Sequence, residues 1–366
     1  MKRLLPILLI LCLMLGACGK TPEATEPVVT EEPTTQPTTE ATEPPTEAPT
    51  EPPVIRHPLT GEELETPYTG RITAVVTPNN SAAVPHYGIS QAEVLYEIEA
   101  EGSVTRCLML FSDLSQVDKI GPIRSSRTYL NCLAVAYDAP IVHCGGSSFG
   151  RLGRYDSSGK MIPDWAHIDE MYNGSYFFRD TARNNSGYAW EYCLFTSGER
   201  LINCLAEREY NKETPEGTDF GLLFGDESAT TAGESAQKVT VKFYSGKTTT
   251  MTFDAETGNY LASQHGGKFI DGTTGEQLSF KNVIILQTAQ RSGSMPNDSQ
   301  TRKYYRLIGE GEGFYACDGK IIPIKWSREN LEDPFVYTTK DGAPITLGIG
   351  KTYVAVTSNE ATSTYE

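Results

Sequence analysis

Val94-Leu-Tyr-Glu-Ile-Glu-Ala-Glu-Gly-Ser-Val-Thr-Arg-Cys-Leu-Met-Leu-Phe111 places two runs of apolar and β-prone residues on either side of Gly102-Ser103. A two-residue connection with glycine first is a hairpin signal, because glycine accepts the positive φ that such turns require. The flanks therefore read as antiparallel strands, and in that register Glu99 sits opposite Arg106 as a cross-strand ion pair. Glu97, Glu99 and Glu101 alternate with apolar neighbours, the pattern of a strand with one solvated face.

Outward from the hairpin, Arg71 to Thr77 alternates like a further strand and stops at Pro78-Asn79-Asn80. Downstream, Gly121-Pro-Ile-Arg-Ser-Ser-Arg127 reads as a loop, and Thr128 to Tyr137 carries apolar residues at helical spacing. Asp138-Ala-Pro140 breaks that helix before a short buried strand, Ile141-Val-His-Cys144, and a turn at Gly145-Gly-Ser-Ser148. Thr196 and Glu199 have capping-box spacing for a second helix, near Gly198 to Glu209. Past Lys238 the chain shows only short strands: Val239 to Tyr244, Thr248 to Phe253, Val283 to Leu286, Tyr304 to Leu307, Gly313 to Ala316, Ile321 to Trp326, Phe335 to Thr338 and Tyr353 to Val356. Asp318-Gly319 and Asp341-Gly342 are turn dipeptides between them. The expected fold class is thus α+β. A mixed α/β domain over residues 55–225 is followed by a polar linker at 226–237 and a smaller, mostly β domain over 238–366.

Before this body, Met1-Lys-Arg3, an apolar run from Leu4 to Leu15 and Gly16-Ala17 have the layout of a secretory signal peptide, residues 1–17. The run is too short to span a bilayer, which needs roughly 20 apolar residues. Leu15-Gly-Ala-Cys18 has the order of a bacterial lipobox, so Cys18 is the expected lipidation site and mature N-terminus. Residues 20 to 53 hold nine prolines, ten threonines and eight glutamates, a composition that cannot bury enough surface to order itself. Residues 18–54 are therefore a tether, with a reach on the order of 100 Å if extended as polyproline II. The expected location is the extracytoplasmic face of the cell membrane, lipid-anchored, with a cell-wall polymer or an envelope protein as partner. The formal charge of −16 argues against nucleic acid.

The body's cysteines, at 107, 132, 144, 193, 204 and 317, form no C-x-x-C, and the chain has five histidines, so no metal site or cofactor is expected. Export permits disulfides, and Cys193 with Cys204 is a candidate pair.

The residue types suited to chemistry gather around the Gly121 to Arg127 loop. Arg124, Ser125 and Arg127 flank a helix start, where free N–H groups favour an anion, and the Gly145 turn with Ser147 could lie beside it. Arg106, His143, Arg179 and Asp180 complete the candidate ligand-binding set. Guanidinium forks suit the carboxylates and phosphates abundant in envelope polymers. The plainer reading is that these arginines pair with Glu97, Glu99, Glu101 or Asp180 and hold the domain together. Trp165, Trp190 and Trp326 could stack on sugar rings, although tryptophans more often serve the core. An enzymatic alternative exists in Gly146-Ser-Ser-Phe-Gly150, which matches G-x-S-x-G with Ser148 as nucleophile. Against it, Arg151 to Gly159 starts a helix poorly, and His167 and His265 have no recognisable acid partner. A protein–protein adaptor for envelope assembly is the other alternative.

Five motifs carry a resemblance: Pro58-Leu-Thr-Gly61; Glu101-Gly-Ser-Val-Thr-Arg106; Gly121 to Arg127; Tyr137-Asp-Ala-Pro140 with His143 and Gly145-Gly-Ser147; and Phe178-Arg-Asp180. They resemble the YerB-like lipoproteins. Gly267 to Gly275, Lys281-Asn-Val-Ile284, Asp318-Gly-Lys320 and Gly350-Lys-Thr-Tyr353 are similar to that family's C-terminal module. The resemblance runs from Pro58 onward and implies an N-terminal and a C-terminal module and an envelope location, without naming a reaction. One departure is Asn184-Asn-Ser-Gly-Tyr-Ala-Trp-Glu191, which stands where relatives read an Ala-Pro-His-Asn-like segment.

Overall fold

The computed structural model describes residues 54–147, 154–155, 161–162, 166–294 and 299–366. The expected signal peptide, Cys18, residues 18–53 of the expected tether, Ser148 and Trp165 lie outside the described residues. The first strands are β1 (Thr73–Asn79), β2 (Val94–Ala100) and β3 (Val104–Phe111). The hairpin forms with a turn one residue longer than the sequence suggests. Ala100 pairs with Val104, and Glu101-Gly102-Ser103 make a three-residue loop in which Gly102 (φ 79°) and Ser103 (φ 54°) both take left-handed backbone. The register therefore moves, so that Glu99 faces Thr105 and Arg106 faces Ile98. The expected Glu99–Arg106 pair does not form, and Glu99 pairs instead with Lys303 at 2.8 Å.

After the loop come α1 (Thr128–Ala134), β4 (Ile141–His143), β5 (His167–Asp169), α2 (Glu170–Asn173), α3 (Thr181–Asn185) and α4 (Gly198–Glu207). α4 is capped by Ser197, whose Oγ accepts from Arg200 N at 3.3 Å. Thr196, the expected cap, is engaged elsewhere, because its backbone pairs with Ile120 and its hydroxyl donates to Tyr176 O at 2.7 Å. The strands that follow are β6 (Lys238–Tyr244), β7 (Lys247–Asp254), β8 (Asn259–Gln264), β9 (Asn282–Thr288), β10 (Gly309–Cys317), β11 (Lys320–Arg328) and β12 (Thr352–Ser358). The fold is α+β, with its helices in the N-terminal half and a mostly β C-terminal half.

Two sheets organise the body. The larger runs in the order β11, β10, β9, β12, β2, β3, β1, β4, β5. Strand β12 lies between β9 and β2 and is parallel to both, so the two halves of the chain share one sheet. Glu234–Ser235, within the 226–237 stretch, pairs with β11 at the sheet's edge. The smaller sheet contains β6, β7 and β8 and packs on one face of the larger: Leu95, Met109, Ile285 and Ala355 meet Val241, Met251 and Ala262. The opposite face, with Tyr96, Leu108, Leu110 and Val354, packs on Tyr129, Leu130 and Leu133 of α1 and on Phe220 and Phe335. Alternation along β2 sends Glu97 towards the smaller sheet, where it is fully buried rather than solvated.

The six cysteines of the body are free thiols, and Cys193 and Cys204 are not bonded. Their surroundings differ: Cys193 Sγ lies 3.4 Å from Ala189 O, whereas Cys204 is on the buried face of α4. Among the described residues, no helix is long and apolar enough to cross a membrane, and no cluster of acidic, histidine or cysteine side chains is placed to hold a metal.

Candidate functional site

The Gly121 to Arg127 segment runs extended beside β1 and the end of β4, with Arg124 N donating to Val76 O, Cys144 N to Arg124 O and Ser126 N to Gly145 O. This pairing fixes where the side chains point and divides the expected set between two faces of the sheet. Arg106 shares the face of Leu108, and Arg127 joins it there. Cys144 packs with the residues of the other face, next to Arg124 and Arg179.

On the first face, Arg106 is 6% exposed, and its Nε and Nη1 are buried with no hydrogen-bond acceptor among the described residues. Burial, and then the neighbouring Arg127, pull its guanidinium down to about 10. Arg127 donates through Nε to Glu101 Oε2 at 2.6 Å and through Nη1 to Ser126 O at 2.9 Å. Arg302 Nη1 lies 3.7 Å from the same Glu101 oxygen, while Lys303 N donates to Glu101 Oε1 at 3.1 Å. Burial alone would raise the Glu101 carboxyl, but Arg127 outweighs it and brings the group below the usual carboxylate range. The buried Tyr129 hydroxyl also has no hydrogen-bond partner among the described residues, and burial followed by the Glu101 charge raises its pKa. Three guanidinium groups thus surround one carboxylate.

On the other face, Arg124 Nη2 pairs with Glu191 Oε2 at 3.0 Å, and Arg179 Nη1 donates to Trp190 O at 2.9 Å. Ile123, Arg124, Cys144, Arg179, Trp190 and Glu191 border an open concavity of about 390 Å³. Burial, and then the hydrogen bond to Glu170 at 3.3 Å, push the Cys144 thiol up to about 11, so it is a poor nucleophile.

The remaining expected residues are held by the fold. Asp180 caps α3, accepting from Arg183 N at 2.9 Å, and pairs with Lys119 at 2.7 Å. His143 is fully buried. Its Nδ1 lies 2.8 Å from Gly145 O, its Nε2 lies 3.2 Å from His167 Nδ1, and the two imidazoles stack with centroids 5.4 Å apart. Asp169 holds the adjacent turn by accepting from Gly145 N at 2.7 Å. Ser147 is buried and Ser125 half-buried. α1 has seven residues, too short a helix for its dipole to carry a site. Sequence reasoning did not anticipate Tyr129 or Arg302, and no local pattern links Arg302 to a hairpin about two hundred residues upstream.

The chain resembles proteins already described. Over 309 residues it is 28% identical to "Putative lipoprotein YerB" of Bacillus subtilis (strain 168), covering 82% of this chain and 86% of that protein. The crystal structure of the YerB protein from Bacillus subtilis superposes with a TM-score of 0.69 at 23% identity, covering 85% of this chain and 99% of that one, a likeness of fold. Residues 59–211 match the N-terminal domain, and residues 239–354 the C-terminal domain, of the family described as "Protein of unknown function (DUF3048)". With both domains present in order, the chain belongs to the DUF3048 family of YerB-like proteins.

Proposed function

We propose that this protein is anchored through an acylated Cys18 at the outer face of the cell membrane, and that its body binds an anionic ligand of the envelope. The lipobox order Leu15-Gly-Ala-Cys18 and the name of the Bacillus subtilis relative support the anchor. The buried Arg106 guanidinium, whose Nε and Nη1 have no hydrogen-bond acceptor among the described residues, carries the binding reading. A buried donor without an acceptor costs about 1 to 3 kcal/mol. Arg127 beside it, with Arg302 on the shared carboxylate, makes the surroundings favour an anion further. A phosphate or carboxylate oxygen supplied to Arg106 would remove that cost and offset the repulsion between the guanidinium groups.

The anchor is tested by metabolic labelling with a fatty acid, which should mark the wild type and not Cys18→Ser. The binding is tested by calorimetric titration of the full-length protein in detergent with a glycerol-phosphate polymer and with soluble muropeptides. Arg106→Met should lose at least tenfold in affinity. Equal binding by that variant, or no binding of either probe by the wild type, rules out the reading.

A further inference from the structure

Of the tryptophans among the described residues, Trp326 is buried and donates its Nε1–H to Gln287 O, whereas Trp190 leaves 52% of its surface in solvent. The exposed indole is held in place. Arg179 lies over its ring at 5.3 Å from the centroid and donates to its carbonyl oxygen. The ring therefore presents a flat apolar surface at the rim of the ≈ 390 Å³ concavity without first having to be ordered. That volume falls within the roughly 300–1,000 Å³ of small-ligand sites.

The same concavity offers polar groups of two kinds. Arg179 uses one N–H on the Trp190 carbonyl and Arg124 uses one on Glu191, so most of each guanidinium fork stays available. Tyr192, with Arg124 5.8 Å from its ring centroid, keeps that arginine beside the concavity. Glu191 is itself 45% exposed at its side chain and can accept hydrogen bonds. A fixed indole face beside two guanidinium forks and an acceptor matches one chemical class well. A pyranose ring presents an apolar C–H face, hydroxyl donors around its edge and, in an acidic sugar, a carboxylate.

We infer that this groove binds an acidic glycan, with a sugar ring packed on Trp190, its carboxylate received by Arg179 and Arg124, and a hydroxyl donating to Glu191. Arg106 is not among the residues that line the groove, so the groove is a separate contact from the anion site proposed above, although the Arg124 charge is felt at Arg106. A polymer carrying carboxylates along a sugar backbone is the ligand that uses every element of it. A bare anion would leave the indole without a role, and a neutral sugar would leave the guanidinium groups without one.

The test is calorimetric titration of the full-length protein in detergent with an oligogalacturonate as the acidic glycan and an oligomer of N-acetylglucosamine as the neutral one. The acidic oligomer should bind, and at least tenfold more tightly than the neutral one. Trp190→Ala should weaken binding about tenfold or more, while Trp190→Tyr, which keeps an aromatic face, should stay within about threefold and so show that any loss is not misfolding. Arg179→Met should narrow the preference for the acidic oligomer. Trp190→Ala should leave affinity for the glycerol-phosphate polymer within twofold, which separates this site from the other. Equal affinity for the two oligomers, a Trp190→Ala variant within twofold of wild type, or absence of binding by the wild type each overturns the inference.

Discussion

Lys247 Nζ lies 3.2 Å from Glu97 Oε1, with both side chains excluded from solvent at the interface between the two sheets. Glu97 also accepts from Asn79 Nδ2 at 2.8 Å and from the hydroxyls of Thr105 at 2.6 Å, Thr249 at 2.8 Å and Tyr353 at 2.7 Å. Lys247 donates in addition to Gln264. Replacing Lys247 by Met leaves the carboxylate charged and uncompensated. Urea denaturation should then show a loss of about 3–5 kcal/mol, because removing one partner of a buried pair leaves a stranded charge. The double variant Glu97→Gln/Lys247→Met should recover part of that loss. Independent, additive effects of the two substitutions would contradict the pairing.

Acid should weaken the fold in two stages. Burial holds His86 down to about 4, against an ordinary value of 6.5, with its Nε2 on Pro78 O at 2.5 Å. The unfolded chain therefore binds more protons in that window, so stability is complete above pH 6.5 and falls as pH approaches 4, by about 3 kcal/mol. Glu97 acts in the same direction at lower pH. Burial would raise its carboxyl, but Lys247 and the hydroxyl donors outweigh it and hold the group below its ordinary 4.5, so its contribution persists above that value and is lost as pH falls further. Thermal midpoints from pH 7 to 4 check the first stage, and His86→Gln should flatten that slope.

Arg106→Met should stabilise the unliganded protein by about 1 to 3 kcal/mol, since it removes unaccepted buried donors and relieves the repulsion with Arg127. A residue that increases stability when deleted and abolishes ligand binding belongs to a binding site. If Arg106→Met instead destabilises, its guanidinium serves the fold.

Ser197→Ala should cost about 1 kcal/mol, because it frees the Arg200 N–H at the start of α4. Circular dichroism during thermal melting would register the lower midpoint. Glu199→Ala should matter little by comparison, because Ser197 rather than Thr196 caps the helix.

The strands legible in the sequence were those whose apolar residues alternate, such as Val239 to Tyr244 in β6 and Ile321 to Trp326 in β11. What the sequence hid arose from long-range pairing. Nothing local marks β12 as the neighbour of β2, nor shows that Glu97 meets a lysine beyond the 226–237 stretch. The turn at Gly102 shows the limit of local rules. Ser103 accepted left-handed backbone, the loop lengthened by one residue, and Arg106 lost its expected glutamate. Of the candidate site, the guanidinium residues were readable by type. Their division between two faces followed from the extended pairing of residues 121–127, which composition does not reveal.

The placement of β12 also governs the order in which the molecule can be assembled. Glu97 and Tyr353, which share a hydrogen bond, are 256 residues apart in sequence, so while the chain is being made β2 has one open edge with nothing to pair with. Contacts so distant form slowly, and an exposed strand edge invites pairing with other chains in the meantime. Any delay before the far end arrives therefore lengthens the time in which that edge can pair wrongly.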